Sequence, residues 1–221
     1  MNVTDLKGIL QKKERAIFRM IYQHKEISRP ELLSISNLKI ATLYRTIDSL
    51  AEKGLITVTR PEDVASVGRP SDILAVNGSY GYFVSIAVRR FSYRIAIVDF
   101  ADEIVLSGKY RCDKSTTPDE LVVQCHLHYR EFLSSLQLPE DKVMGVAISS
   151  FGVPVFSLRQ NIRPIYPGFS WGDYNIVEGF GAVFDRPAHF EYGARAAAYG
   201  NYIHKYFPQY DSLAYIIIDE G

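Results

Sequence analysis

The chain has 221 residues, a formal net charge of zero at pH 7, 47% hydrophobic and 23% charged residues. This is the balance of a soluble globular protein, long enough for one large domain or two ordinary ones. No apolar run approaches the ~20 residues that span a bilayer, and the N-terminal stretch MNVTDLKGILQKKER has no signal-peptide core. Cys112 and Cys125 do not make a disulfide framework, which argues against a disulfide-stapled scaffold, and together these features lead to an expectation of the cytoplasm.

Zero net charge conceals an asymmetry. Residues 1–79 hold 12 Lys/Arg against 9 Asp/Glu, and the remainder holds 13 against 16. A basic head on a mildly acidic body suits a nucleic-acid-binding module joined to a regulatory or catalytic one.

In chain order, LKGILQKKERAIFRMIYQH places Ile9, Ala16, Ile17, Met20 and Ile21 near helical spacing, which predicts an amphipathic first helix. EISRPELLSIS carries a helix start: Ser28 as N-cap, Pro30 in the first turn and Glu31 three residues after the cap. NLKIATLYRTIDSLAEKG is the third helix, with Leu43, Ile47 and Leu50 on one face and Gly54 as its stop. LITVTR and SDILAV follow as two strands around a Pro/Gly-punctuated turn. Three helices and a β-ribbon are the order of a winged helix-turn-helix, with Asn37 to Lys39 as the turn.

Beyond Asn77-Gly78 the grammar changes. GYFVSIAVRR, SYRIAIVDF and EIVLSGKY read as three consecutive strands with short connections at Arg90-Phe91 and Ala101-Asp102. A helix over TPDELVVQCHLHYREFLSSLQ follows, with Asp119 and Glu120 complementing its dipole. Then come a buried strand KVMGVAISS, a helix NIVEGFGAVF, a strand AHF, a helix ARAAAYGNYIHKYF and a last strand SLAYIIIDEG. The fold class is therefore α/β: a winged helix-turn-helix over 1–78, then one ribonuclease-H-like, actin-like lobe over 79–221.

With Leu43, Ile47 and Leu50 turned to the core, Lys39, Thr42, Tyr44 and Arg45 are the candidates to face a DNA major groove. Arg60 and Arg69, on the wing and its linker, are candidates for a minor groove. The double-stranded partner would be an operator, and two-fold operators call for a homo-oligomer.

The runs ISRPELLSISNLKIATLYRTIDSLAEKGLITV and VGRPSDILAVN, followed by the three-strand opening, resemble the ROK family of repressors, open reading frames and sugar kinases. Its sugar-responsive repressors of the xylose and N-acetylglucosamine type are the branch most alike, and Gly68-Arg69-Pro70 is typical of them. VMGVAISSFG resembles the family's strand and glycine turn before its sugar pocket, and PIYPGFSW its proline segment ending in tryptophan. The resemblance implies a transcriptional repressor of carbohydrate-utilisation genes, answering to a sugar or sugar phosphate. It also implies that a second lobe, with a cysteine- and histidine-bearing zinc motif, would lie beyond Gly221, so no cofactor is expected within this stretch.

The resemblance to kinases is tested at three places. Where kinases carry an aspartate and a glycine-rich phosphate turn, this chain has Ala87 and Arg89-Arg90. Where they carry a second glycine turn it has Asp219-Glu220-Gly221, whose carboxylates repel polyphosphate. Where they carry Asn-Asp before an alanine-rich helix, the aspartate being the general base, it has Tyr192-Gly193. An enzyme is not expected. Ser149, Ser150, Gly152, Tyr192 and Arg195 remain as candidates for binding an effector. Alternatives are a sugar-binding or residual kinase domain, and an interaction module that no longer senses a ligand. Cys125 and His128 share a helix face, but two further ligands at metal-binding spacing are missing, which favours a packing role.

Overall fold

The structure, a computed structural model, describes residues 10–60, 71–89, 91–113, 115–150, 174–206 and 209–216. The chain divides into two units. One holds the described residues up to Tyr80 together with Phe100–Asp102; the other holds Gly81–Asp99 and the described residues from Glu103 onward.

In the first unit, helix α1 (Lys12–His24) leads into a short strand β1 (Glu26–Ser28), then α2 (Arg29–Ser36) and α3 (Ile40–Glu52). The start of α2 is a complete capping box. The Glu31 N–H donates to the Ser28 hydroxyl at 3.4 Å, and the Ser28 N–H donates to the Glu31 carboxylate at 2.9 Å. Asn37, at the turn, takes the left-handed conformation with φ 53°, which Asn tolerates better than most residues. Leu43, Ile47 and Leu50 of α3 are fully buried, each contributing on the order of 1.5–3 kcal/mol of burial. Gly54 closes α3 with φ +71°.

Strands β2 (Ile56–Thr59) and β3 (Ile73–Val76) form the wing, and β3 is the central strand of a three-stranded antiparallel sheet in the order β1-β3-β2. The first strand of that sheet has no sequence signal, being only three residues long beside a strong helix start. One expectation for α1 is corrected. Ala16 is exposed, and the buried set is Glu14, Ile17 and Ile21, so a carboxylate takes a core position in place of an alanine. Ile9 lies outside the described residues. Phe100 sits 4.8 Å from the Tyr80 ring and 5.8 Å from the Phe18 ring, and the Tyr22 hydroxyl donates to the Asp102 carboxylate.

In the second unit β4 (Tyr82–Arg89), β5 (Ser92–Asp99) and β6 (Ile104–Arg111) form an antiparallel meander. Helix α4 (Pro118–Leu136), capped by Thr117, leads to β7 (Val143–Ser150), which lies parallel to β4. Helix α5 (Ile176–Phe184) then crosses to β8 (Ala188–Tyr192), parallel to β7, and α6 (Gly193–Asn201) follows. The sheet order is β6-β5-β4-β7-β8. Alternation places Val84, Ile86, Val88, Ile95, Ile97, Val146 and Ile148 on the face that packs with Leu121, Cys125, Tyr129, Phe180 and Phe184 of α4 and α5.

Three boundaries differ from expectation. β8 continues through Glu191 and Tyr192, because parallel pairing with Ser149 and Ser150 extends it. The helix expected over 194–207 ends at Asn201, and Tyr202–Tyr206 widens into a π-helical turn. Residues 212–216 are not a strand: they are exposed, Ile216 at 81%, and among the described residues no strand runs beside them to take their hydrogen bonds. Residues 217–221, with the Asp219-Glu220-Gly221 turn, lie outside the described residues.

Candidate nucleic-acid interface

The outward side of α3 is built by elimination. Once Leu43, Ile47 and Leu50 are buried, the 3.6-residue period turns other positions outward. Lys39, the N-cap residue, is exposed, as are Tyr44 and Arg45; Thr42 is half-buried. The Thr42 carbonyl accepts from the Thr46 hydroxyl at 2.8 Å, a bond within the helix. Lys39, Tyr44 and Arg45 thus offer two cations and a phenol on one exposed helix, a set suited to phosphates and base edges.

At the base of the wing, Arg60 is 65% exposed with its Nε 3.3 Å from Asp72. An exposed pair of this kind is worth about 0–1 kcal/mol, so a phosphate can displace the carboxylate. Arg69 lies outside the described residues.

Sequence reasoning missed Arg29. Its side chain is 17% exposed, its Nε lies 2.9 Å from Asp72 Oδ2, its Nη1 is 3.9 Å from Asp48 Oδ1, and its guanidinium carbon is 5.1 Å from the centre of the Tyr44 ring. The signal was present only as a cation beside the Ser28 cap; its partners are 15 to 43 positions away in sequence.

The described residues of the second unit offer a candidate ligand site. A cavity of about 770 Å³ is lined by His189, Glu191, Arg195, Tyr199, Tyr202 and Asp211, among others. Glu191 Oε2 lies 3.5 Å from Arg195 Nε, and Glu191 Oε1 accepts the Tyr192 backbone N–H at 2.9 Å. Of the residues read as effector-binding, Arg195 lines this cavity. Ser150 is buried and Tyr192 packs edge-on against Phe190 at 5.6 Å. Ser149 is half-buried beside Glu191 in the β7–β8 register, and Gly152 lies outside the described residues. The signal that finds the cavity is positional: His189 and Glu191 are two apart on a strand, and Arg195, Tyr199 and Tyr202 follow at helical spacing.

Ala87 and Arg89 sit on β4, with Arg89 paired to Ser92 of β5; Arg90 lies outside the described residues. Cys125 is fully buried, and burial pushes its thiol well above the usual range. His128 stacks on Tyr110 at 3.5 Å, with its Nδ1 3.1 Å from Glu131. Among the described residues no group of three His, Cys, Asp or Glu side chains gathers to hold a metal, and no helix is long and apolar enough to cross a membrane.

Residues 11–63 match the MarR family model, the span of the three helices and the first wing strand. The uncharacterized protein y4fQ of Sinorhizobium fredii is 26% identical over 197 residues, which are 88% of this chain and 49% of that protein. The xylose repressor of Staphylococcus xylosus is 23% identical over 147 residues, 66% of this chain and 37% of that one. Among solved structures, a ROK family transcriptional regulator, homolog of E. coli MLC protein, superposes with a TM-score of 0.62 at 22% identity, covering 87% of this chain and 48% of that chain. The chain therefore spans about half, or less, of the length of these relatives.

Proposed function

We propose that this chain, which joins a MarR-type helix-turn-helix to a lobe with the fold of a ROK family transcriptional regulator, is a sequence-specific DNA-binding repressor of carbohydrate-utilisation genes. The observation that carries this reading is the exposed set Lys39, Tyr44 and Arg45 on a core-anchored α3 beside a two-stranded wing. Such a helix enters a major groove while cations around it hold phosphates. A homodimer would present two recognition helices ~34–36 Å apart to a two-fold operator. Enrichment of a palindromic motif from a random duplex pool supports the reading; recovery of no motif overturns it.

The lobe acts as a sensor without catalysis. Two features support this: Ala87 and Arg89 stand where phosphate would need bare backbone, and Gly193 has no proton acceptor where a base would sit. The effector would seat in the cavity beside Glu191 and Arg195, where a carboxylate and a guanidinium suit sugar hydroxyls or a sugar phosphate. Pentoses are the first class to test, because one relative is a xylose repressor. Sustained ATP turnover with pentoses, hexoses or N-acetylhexosamines would overturn the non-catalytic reading.

A further inference from the structure

Asp72 stands just before the central wing strand β3, between the residues that leave its two neighbours. Arg29 follows β1, whose Ser28 pairs with Ile73; Arg60 follows β2, whose Thr59 also pairs with Ile73. One carboxylate holds both arginines: Oδ2 lies 2.9 Å from Arg29 Nε and Oδ1 lies 3.3 Å from Arg60 Nε. The Arg29 backbone N–H also donates to the Asp72 carbonyl at 3.3 Å.

Arg29 then reaches a third element. Its guanidinium lies over the Tyr44 ring, and its Nη1 approaches Asp48, one turn further along α3. Tyr44 is 39% exposed, so one part of its ring meets the arginine and another meets solvent. The Nε–H is buried and makes no hydrogen bond in line with its nearest carboxylate oxygen. Charge pairing and the ring contact therefore hold the guanidinium, and both depend on the relative placement of wing and helix.

We propose that Arg29 is a positioning residue of the DNA-binding face, locking the wing root at Asp72 to the recognition helix at Tyr44. This rests on the reading of the head as a duplex-binding module. A duplex meets helix and wing together, so an error in their mutual placement weakens base contacts more than phosphate contacts. The consequence is a loss of discrimination rather than a uniform loss of affinity.

The test is equilibrium binding of the full chain to the duplex enriched by the wild type, and to a shuffled duplex, across about 50–200 mM salt. Arg29→Met is expected to weaken the enriched duplex about tenfold, the order of one lost base-pair contact. Shuffled-duplex affinity and the salt slope stay unchanged, because Asp72 already neutralises this cation. Asp72→Asn releases the same lock without removing Arg29; it also frees Arg60, so affinity for both duplexes rises, but the preference for the enriched duplex should fall about tenfold. Far-UV circular dichroism checks that each variant is folded. For Arg29→Met, equal losses on both duplexes, no loss, or a salt slope reduced by about 0.9 overturn the inference; the last would make Arg29 a direct phosphate contact. Failure of both variants to fold overturns it too, by assigning Arg29 to stability alone. Failure of the wild type to enrich any duplex sinks the underlying reading first, before a variant is made.

Discussion

Glu14 shows how one side chain can carry an interface between two helices. Its carboxylate is only 8% exposed and accepts the Gln11 N–H at 2.7 Å, the Ser49 hydroxyl at 2.7 Å and the Lys53 ammonium. Burial pushes its pKa up, but hydrogen bonds from Lys53, Gln11 and Ser49 outweigh that and hold it below the usual value. A carboxyl with a depressed folded pKa stabilises the fold above the unfolded value of about 4.3. That contribution is lost as pH falls through the lowered folded pKa. Glu14→Gln should cost about 1–3 kcal/mol at pH 7 and flatten the acid limb of stability, read by urea unfolding between pH 7 and 3. An acid limb as steep as the wild type's would remove Glu14 from the account. At Arg45, exposed on α3, a direct phosphate role predicts that Arg45→Ala lowers the salt slope of DNA binding by about 0.9. An unchanged slope and affinity would take it off the contact surface.

At the scale of elements, caps and stops decide where helices begin and end, and core shape decides what they tolerate. Gly54 ends α3 at φ +71°, where an added Cβ would meet only an ordinary contact with Tyr80 at 3.9 Å. The cost of Gly54→Ala is therefore backbone strain alone, about 1–2 kcal/mol, and Gly54→Asn should recover part of it. Equal stability of wild type and Gly54→Ala in thermal unfolding would contradict this. On α4, the Tyr129 ring packs fully buried at 5.2 Å from Phe184, while its hydroxyl is buried and, among the described residues, makes no hydrogen bond of good geometry. Burial, reinforced by the Glu140 carboxylate, pushes the phenol up to about 12. Tyr129→Phe removes a buried, poorly paired polar atom and keeps the ring, so stability should hold or rise. A loss above about 1 kcal/mol would reveal a partner for the hydroxyl.

For the whole molecule, the proposed function joins a reading head to a sensing lobe, and the cavity beside Glu191 and Arg195 is where sensing can be measured. Any sugar or sugar phosphate that raises the melting temperature of the wild type stabilises by mass action in proportion to its affinity. Arg195→Ala should abolish that shift, since the side chain is 76% exposed and its loss leaves the fold intact. An undiminished shift in the variant would move the effector elsewhere.

Most of the head's outline was readable in the sequence, because its signals act within four residues of chain. Ser28 and Glu31 mark a helix start, Gly54 marks a stop, and Leu43, Ile47 and Leu50 mark a core face. The expectation of a non-catalytic lobe rests likewise on residue identity, at Ala87, Arg89 and Gly193, and it belongs to the proposed function. What only tertiary structure decided are pairings across elements. Glu14 is a core residue because Ser49 and Lys53 arrive from another helix. Residues 212–216 are not a strand because a strand needs a neighbour. Arg29 meets Tyr44 and Asp72 because β3 runs between β1 and β2. Those partners lie tens of residues apart, and only the sheet register and helix packing bring their charges within reach.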